Sequence, residues 1–311
     1  MQKVSFFKLP LTGCLVYFLF STFLNTSFLY LQHNASIPDN MFWYFFFESD
    51  FLFRFLLEKS FIEALWVFGL LVVFFYSFRI HIVNKANITL LIILMLIYSI
   101  IASFIAINTN VKLQNYHLYS ILFSLAFAII RYSLEALLLY YFIGFSKIYF
   151  VKDQNEFVLT KKNSSEIHFI LFSIFSCFIF LKGFNLLYQP LLDKFDVSIF
   201  FTTIYLSALL LGLVLSKRWF HIFSDKVLYI KLFKSVSISN ILILAVVYIT
   251  FTIINNNPTK YYIDSFVTIF NHISKLFLVL LVILLICLIL NKVTKYYFGM
   301  TNFKKSQNES N

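Results

Sequence analysis

The chain has 311 residues, 60% hydrophobic and 13% charged, with 43 Phe and 19 Tyr and a formal net charge of +11. Soluble domains carry about 25% charged residues, so a soluble fold is excluded. Several apolar runs approach or exceed the ~20 residues needed to cross a bilayer.

The N-terminal "MQKVSFFKLP" is mildly basic and leads into an apolar stretch from Leu11 to Leu31. That stretch is longer than a signal-peptide core and no A-x-A site follows it, so it is expected to stay as a first span at 11–32. Its outer half carries Ser21, Thr22, Asn25 and Thr26, a polar stripe at helical spacing. Next comes "MFWYFFFESDFLFRFLLEKS". Here Asp50, Arg54 and Glu58 fall at i, i+4 and i+8, opposite Phe51, Leu52, Phe55 and Leu56. That pattern predicts an amphipathic helix near 42–58 in the outer interface, with Trp43 and Tyr44 at headgroup level.

Spans are then expected at 61–78, 88–107 and 118–145. The last reads "ILFSLAFAIIRYSLEALLLYYFIGF" and sets Arg131 and Glu135 in an otherwise uncharged run. A lone Arg at the bilayer centre costs at least ~2.5 kcal/mol on insertion scales. Four residues apart, Arg131 and Glu135 share a helix face and can pair. Pairing removes much of that cost without making the pair favourable over two leucines, so their face is expected to turn away from lipid. The pair either fixes helix rotation or meets a proton, an ion or a substrate.

The inner loop 146–166 holds "IYFV" and "EFVL" around "KDQN", a candidate hairpin. A fifth span, 167–187, carries Lys182 near its outer end, positioned to snorkel to headgroups. After a sixth span at 197–216, "KRWFHIFSDKVLYIKLFKS" mixes basic and apolar residues. It predicts an inner basic amphipathic segment near 217–235 that favours anionic lipid. Spans seven and eight fall at 238–255 and 273–291. The outer loop between them, "NNNPTKYYIDSFVTIFNHISK", contributes Asp264 and His272, His being the usual acid–base group near neutral pH. The whole reads as an all-α, polytopic integral membrane helical bundle of about eight transmembrane helices, one transmembrane domain over 1–311 with no internal sequence repeat. Cys14, Cys177 and Cys287 lie far apart in apolar runs, which suits neither a disulfide framework nor a metal site.

With both termini cytoplasmic, the inside segments hold 17 of the 25 Lys and Arg and the outside segments 6, leaving Arg131 and Lys182 within spans. The positive-inside rule therefore orients the chain in a cell (inner) membrane with N- and C-termini cytoplasmic. It also accounts for the net charge without nucleic acid. Asp39, Glu48, Asp50, Glu58, Glu63, Asp193, Asp196 and Asp264 lie outside or at the outer edge in this orientation.

Three functions compete. The acidic pair Glu48 and Asp50, the "ESD" of the first outer loop, resembles over about 20 residues the membrane glycosyltransferases that use polyprenyl-linked sugars. The resemblance implies a transferase acting at the outer interface on a polyprenyl-linked or phospholipid substrate. In it Glu48 and Asp50 would be catalytic or hold a divalent metal, helped by Asp264 and His272. Arg131, Glu135, Arg54 and Lys182 would be substrate contacts. A non-catalytic membrane protein, such as an immunity factor or assembly subunit, needs none of this chemistry. A transporter or channel would centre on Arg131 and Glu135. The 6 Gly and 4 Pro in the chain count against close packing and broken helices of the kind transporters use. No nucleotide-binding loop, HExxH or Ser-His-Asp signature is present.

Overall fold

The structure is a computed structural model. It describes residues 7–33, 50–115, 121–151, 161–188, 195–220, 227–255 and 265–299, with side chains in a narrower set within them. These residues form eight α-helices: α1 (Lys8–His33), α2 (Asp50–Ser77), α3 (Lys85–Asn115), α4 (Ile121–Ser146), α5 (Lys161–Tyr188), α6 (Phe195–Ser216), α7 (Tyr229–Asn255) and α8 (Ser265–Phe298). A 3₁₀ turn, Lys217–Trp219, follows α6. The helices run from 22 to 34 residues, about 33 to 51 Å at 1.5 Å per residue. That length covers a hydrocarbon core of ~30 Å. Seven carry a described stretch long and apolar enough to cross a membrane; the eighth, α6, has described side chains only from Thr202.

Helix is the state this composition requires. In lipid every backbone polar group must be satisfied within the chain, and apolar faces all round suit burial in a bilayer. Pro10 sits in the first turn of α1, where its missing N–H costs nothing; Pro38, Pro190 and Pro258 lie outside the described residues.

Each expected span coincides with one helix, but two boundaries differ. The helix α2 runs unbroken from Asp50 to Ser77, across the point where the sequence pattern ends an interfacial helix near 42–58 and begins a span. Residues 42–49 lie outside the described residues. Within the expected inner segment 217–235, the described residues are the 3₁₀ turn at Lys217–Trp219 and, from Tyr229, the first turns of α7; residues 221–226 lie outside the described residues. Residues 152–160 of the candidate hairpin fall outside the described residues.

The chain divides into two compact units, Met1–Phe157 and Val158–Asn311. In the first, α1 packs on α2 and α3, and α4 closes the ring by packing on the same two helices. In the second, α5 packs on α6 and α7, and α8 closes the ring on those two. The two units therefore share one order of helix neighbours although no repeat is visible in the sequence.

The first unit is filled by Leu71 from α2 and Leu91, Met95 and Tyr98 from α3, all sealed from solvent. Its α1 approaches closely at Gly13, where an added Cβ would stand 2.8 Å from Leu71 Cδ1. At one end, Asn84 caps α3 by accepting from the Asn87 N–H at 2.7 Å. Asn87 then clamps the segment after α4: it donates to the Val151 carbonyl at 3.1 Å and accepts from the Val151 N–H at 2.9 Å. It also donates to the Ile82 carbonyl at 2.8 Å. The α2 terminus is closed by Arg79 at φ 55°, with the Ile80 N–H reaching back to the Phe75 carbonyl at 2.8 Å. That is a left-handed helix cap in which an arginine takes the usual glycine position.

In the second unit Gly212 brings α6 against the backbone of α8, where an added Cβ would stand 3.3 Å from Cys287 Cα. His168 on α5 accepts from the Leu228 N–H through Nε2 at 2.8 Å, and its Nδ1 lies 2.7 Å from the Ser164 carbonyl. Both contacts are satisfied only by the tautomer with the proton on Nδ1. Asn291 on α8 accepts from the Trp219 indole N–H and holds the 3₁₀ turn.

Candidate functional site

Arg131 and Glu135 lie on the inward face of α4. Arg131, Glu135, Leu139 and Ile143, spaced by four, are buried, while Ile130, Leu134, Leu137 and Tyr141 face outward. The expectation that the charged face turns from lipid is met. Arg131 Nε donates to Glu135 Oε1 at 2.8 Å, the pairing expected within the helix.

A third charge joins them. Arg131 Nη2 donates at 2.7 Å to Oε1 of Glu63, on α2. The sequence pattern groups Glu63 with the acids of the outer edge, yet it is 3% exposed, against 8% for Arg131 and 1% for Glu135. It occupies the fourteenth of the 28 positions of α2, and Arg131 and Glu135 the eleventh and fifteenth of the 26 of α4. All three therefore sit near the middle of their helices. The signal is present in sequence: Ser60, Glu63, Ala64, Val67, Leu70 and Leu71 recur at helical spacing and form the buried face of α2.

The guanidinium plane suits this arrangement, since its N–H groups point in several fixed directions and can serve two carboxylates at once. Tyr132 supplies a further contact, its ring centroid 5.2 Å from Arg131 Cζ, a cation–π distance. Trp66 stands edge-on to Tyr132 at 5.8 Å. From α1, the Tyr17 hydroxyl lies 3.5 Å from Glu63 Oε2, and its ring packs on Tyr98 of α3 at 5.7 Å. All four helices of the unit thus contribute. The Tyr98 hydroxyl is buried and has no hydrogen-bond partner among the described residues. It lies within electrostatic reach of Glu135, Glu63 and Arg131.

The polar stripe of α1 lies beside this cluster. Asn25 donates to Ser21 at 3.3 Å and to Ser60 of α2 at 3.5 Å, while Thr22 and Thr26 bond back to carbonyls of their own helix. Asn25 therefore ties α1 to α2 three residues before Glu63.

The other sequence candidates are not brought to this cluster. Glu48 and Asp264 lie outside the described residues, and Asp50, Arg54 and His272 sit on described helices whose side chains there are not described. Lys182 belongs to the second unit. Among the described residues no group of three or more His, Cys, Asp or Glu could hold a metal ion. Cys14 and Cys287 donate weakly to the carbonyls of Ala64 and Ala208, and all three cysteines are free thiols.

What the cluster can do follows from its charges. When all three groups are ionised they carry one more negative than positive charge. One carboxylate balances Arg131, and the second leaves the three groups together net negative in a buried setting. In comparisons with known proteins, no family model matches the chain, and no curated protein or solved structure matches it.

Proposed function

We propose that the protein is a multi-pass carrier of the cell membrane, with cytoplasmic termini. In this reading the Glu63–Arg131–Glu135 cluster takes up and releases a small positive charge, a proton or an alkali cation, as its working step. The observation that carries it is two buried carboxylates sharing one guanidinium halfway along two packed helices. Ion pairs that serve only to neutralise themselves need one acid per base, and intramembrane ionisable groups mark ion and proton paths. The buried Tyr98 hydroxyl and the Tyr17 hydroxyl beside Glu63 add oxygen donors of the type a small hard cation prefers.

The test needs no knowledge of a transported substrate. Anything that binds the folded state alone raises its stability by mass action. The melting temperature of the purified chain is followed in NaCl, KCl and choline chloride and across pH. One alkali cation, or acidification, is expected to raise it above the choline control. Glu63→Gln and Glu135→Gln are expected to remove that rise. A wild-type response identical to both variants under every condition overturns the reading.

A further inference from the structure

A second feature of the first unit lies at the end of the helices opposite the outer loops. There α2 finishes at Ser77 and α4 at Ser146. Between these ends runs an open groove of about 420 Å³, lined by Phe78, Tyr140, Gly144, Phe145 and Lys147 among others. Its walls are aromatic and project outward: Tyr140 packs on Phe78 at 5.4 Å between centroids, and Phe145 is 75% exposed. Its floor is Gly144, where an added Cβ would meet only the Phe78 ring edge at 3.6 Å. Its mouth is cationic, the Lys147 ammonium standing 5.7 Å from the Phe78 ring centroid.

We infer that this groove seats one anionic phospholipid, an acyl chain lying against the aromatic walls and the phosphate meeting Lys147. The occupant follows from the setting. A helix face of this apolarity is covered by lipid, and tyrosines at a membrane boundary place their rings in the apolar zone with the hydroxyls toward headgroups. The cation at the end of the groove selects anionic headgroups over zwitterionic ones. This same end of the unit also carries Arg79, His81 and Lys85, so the surrounding surface favours the same leaflet charge. The inference does not depend on the carrier reading.

The test uses the purified full chain in neutral detergent with phosphatidylglycerol and phosphatidylcholine added, bound lipid being counted by native mass spectrometry. Wild type is expected to retain phosphatidylglycerol in preference to phosphatidylcholine. Lys147→Glu is expected to lower that retention about fivefold or more, the scale of one lysine at an anionic surface. Gly144→Phe fills the groove and is expected to reduce retention to a similar degree. Lys85→Glu, at an exposed position at the same end but off the groove, is expected to lower it by clearly less than Lys147→Glu does. If Gly144→Phe does not elute as the wild type does, Phe145→Ser replaces it, because Phe145 is largely exposed. Equal retention of the two lipids by wild type, an equal loss in Lys85→Glu and Lys147→Glu, or unchanged retention when the groove is filled or stripped each overturns the proposal.

Discussion

Arg131 serves two carboxylates, and this fixes an order of damage that an isolated Arg131/Glu135 pair would not give. In an isolated pair, removing Glu135 would be the worst single change, because it strands a guanidinium that does not deprotonate. Here Glu135→Leu leaves Arg131 its 2.7 Å bond to Glu63, so the loss is about that of one charge-assisted hydrogen bond, ~1.5–3 kcal/mol. Arg131→Leu takes the guanidinium from both Glu63 and Glu135 and should cost about the ~3–5 kcal/mol seen when one buried partner is removed. The double change Arg131→Leu/Glu135→Leu still leaves Glu63 buried without its guanidinium, so it should recover only part of the loss. The triple change, with Glu63→Leu added, removes every buried charge of the cluster and should return stability to within about 1 kcal/mol of wild type or above it. Unfolding midpoints in mild detergent, titrated with denaturing detergent, separate these cases. A double variant as stable as wild type, or a Glu135→Leu variant less stable than Arg131→Leu, would refute the shared guanidinium.

Four further outcomes follow from particular contacts. Asn87→Leu strips the Val151 N–H and two carbonyls of their partner and should lower stability by about 2–3 kcal/mol, with faster hydrogen exchange at Val151. Gly212→Val drives a branched side chain into Leu290 and the Cys287 backbone; it should cost roughly 1–3 kcal/mol and lower the yield of folded protein in detergent. Arg79→Gly relieves the positive φ and should raise stability by about 1 kcal/mol, read as a higher unfolding midpoint. Nitrogen NMR of His168 should show Nε2 unprotonated, since that atom accepts from the Leu228 N–H; a proton on Nε2 would contradict the contact.

Much of the architecture is legible because lipid leaves the backbone few options. Apolar run length alone marks where eight helices lie, and the four-residue spacing of Arg131 and Glu135 gives both their pairing and the inward turn of their face. What sequence does not give is partnership between helices. Glu63 stands two residues inside its expected span, so it reads as a charge held at the interface. Its role becomes visible only because α2 continues unbroken back to Asp50, which carries Glu63 from a helix end to a helix middle. In the inner segment after α6, basic and apolar residues fall at helical spacing, and from Tyr229 onward that pattern is the start of α7. The shared neighbour order of the two units has no counterpart in residue identity, because packing among Phe, Leu and Ile can be kept while nearly every position changes.

The shared order also bears on where function resides. In the first unit the mid-helix positions of the second and fourth helices carry Glu63, Arg131 and Glu135, and the first and third supply Tyr17 and Tyr98. In the second unit the described face of α8 that is buried is Val282, Ile286 and Leu290, with no charge among them, and α6 meets it through Gly212. Among the described residues, charge joins the second and fourth helices of the first unit, and close apolar packing joins those of the second. The acidic pair Glu48 and Asp50 gives an independent check on this placement. Glu48→Gln with Asp50→Asn should leave the cation- or pH-dependent rise in melting temperature intact, whereas Glu63→Gln should abolish it. A rise that disappears in the Glu48→Gln/Asp50→Asn double variant and persists in Glu63→Gln would move the working site from the middle of the first unit to the start of α2.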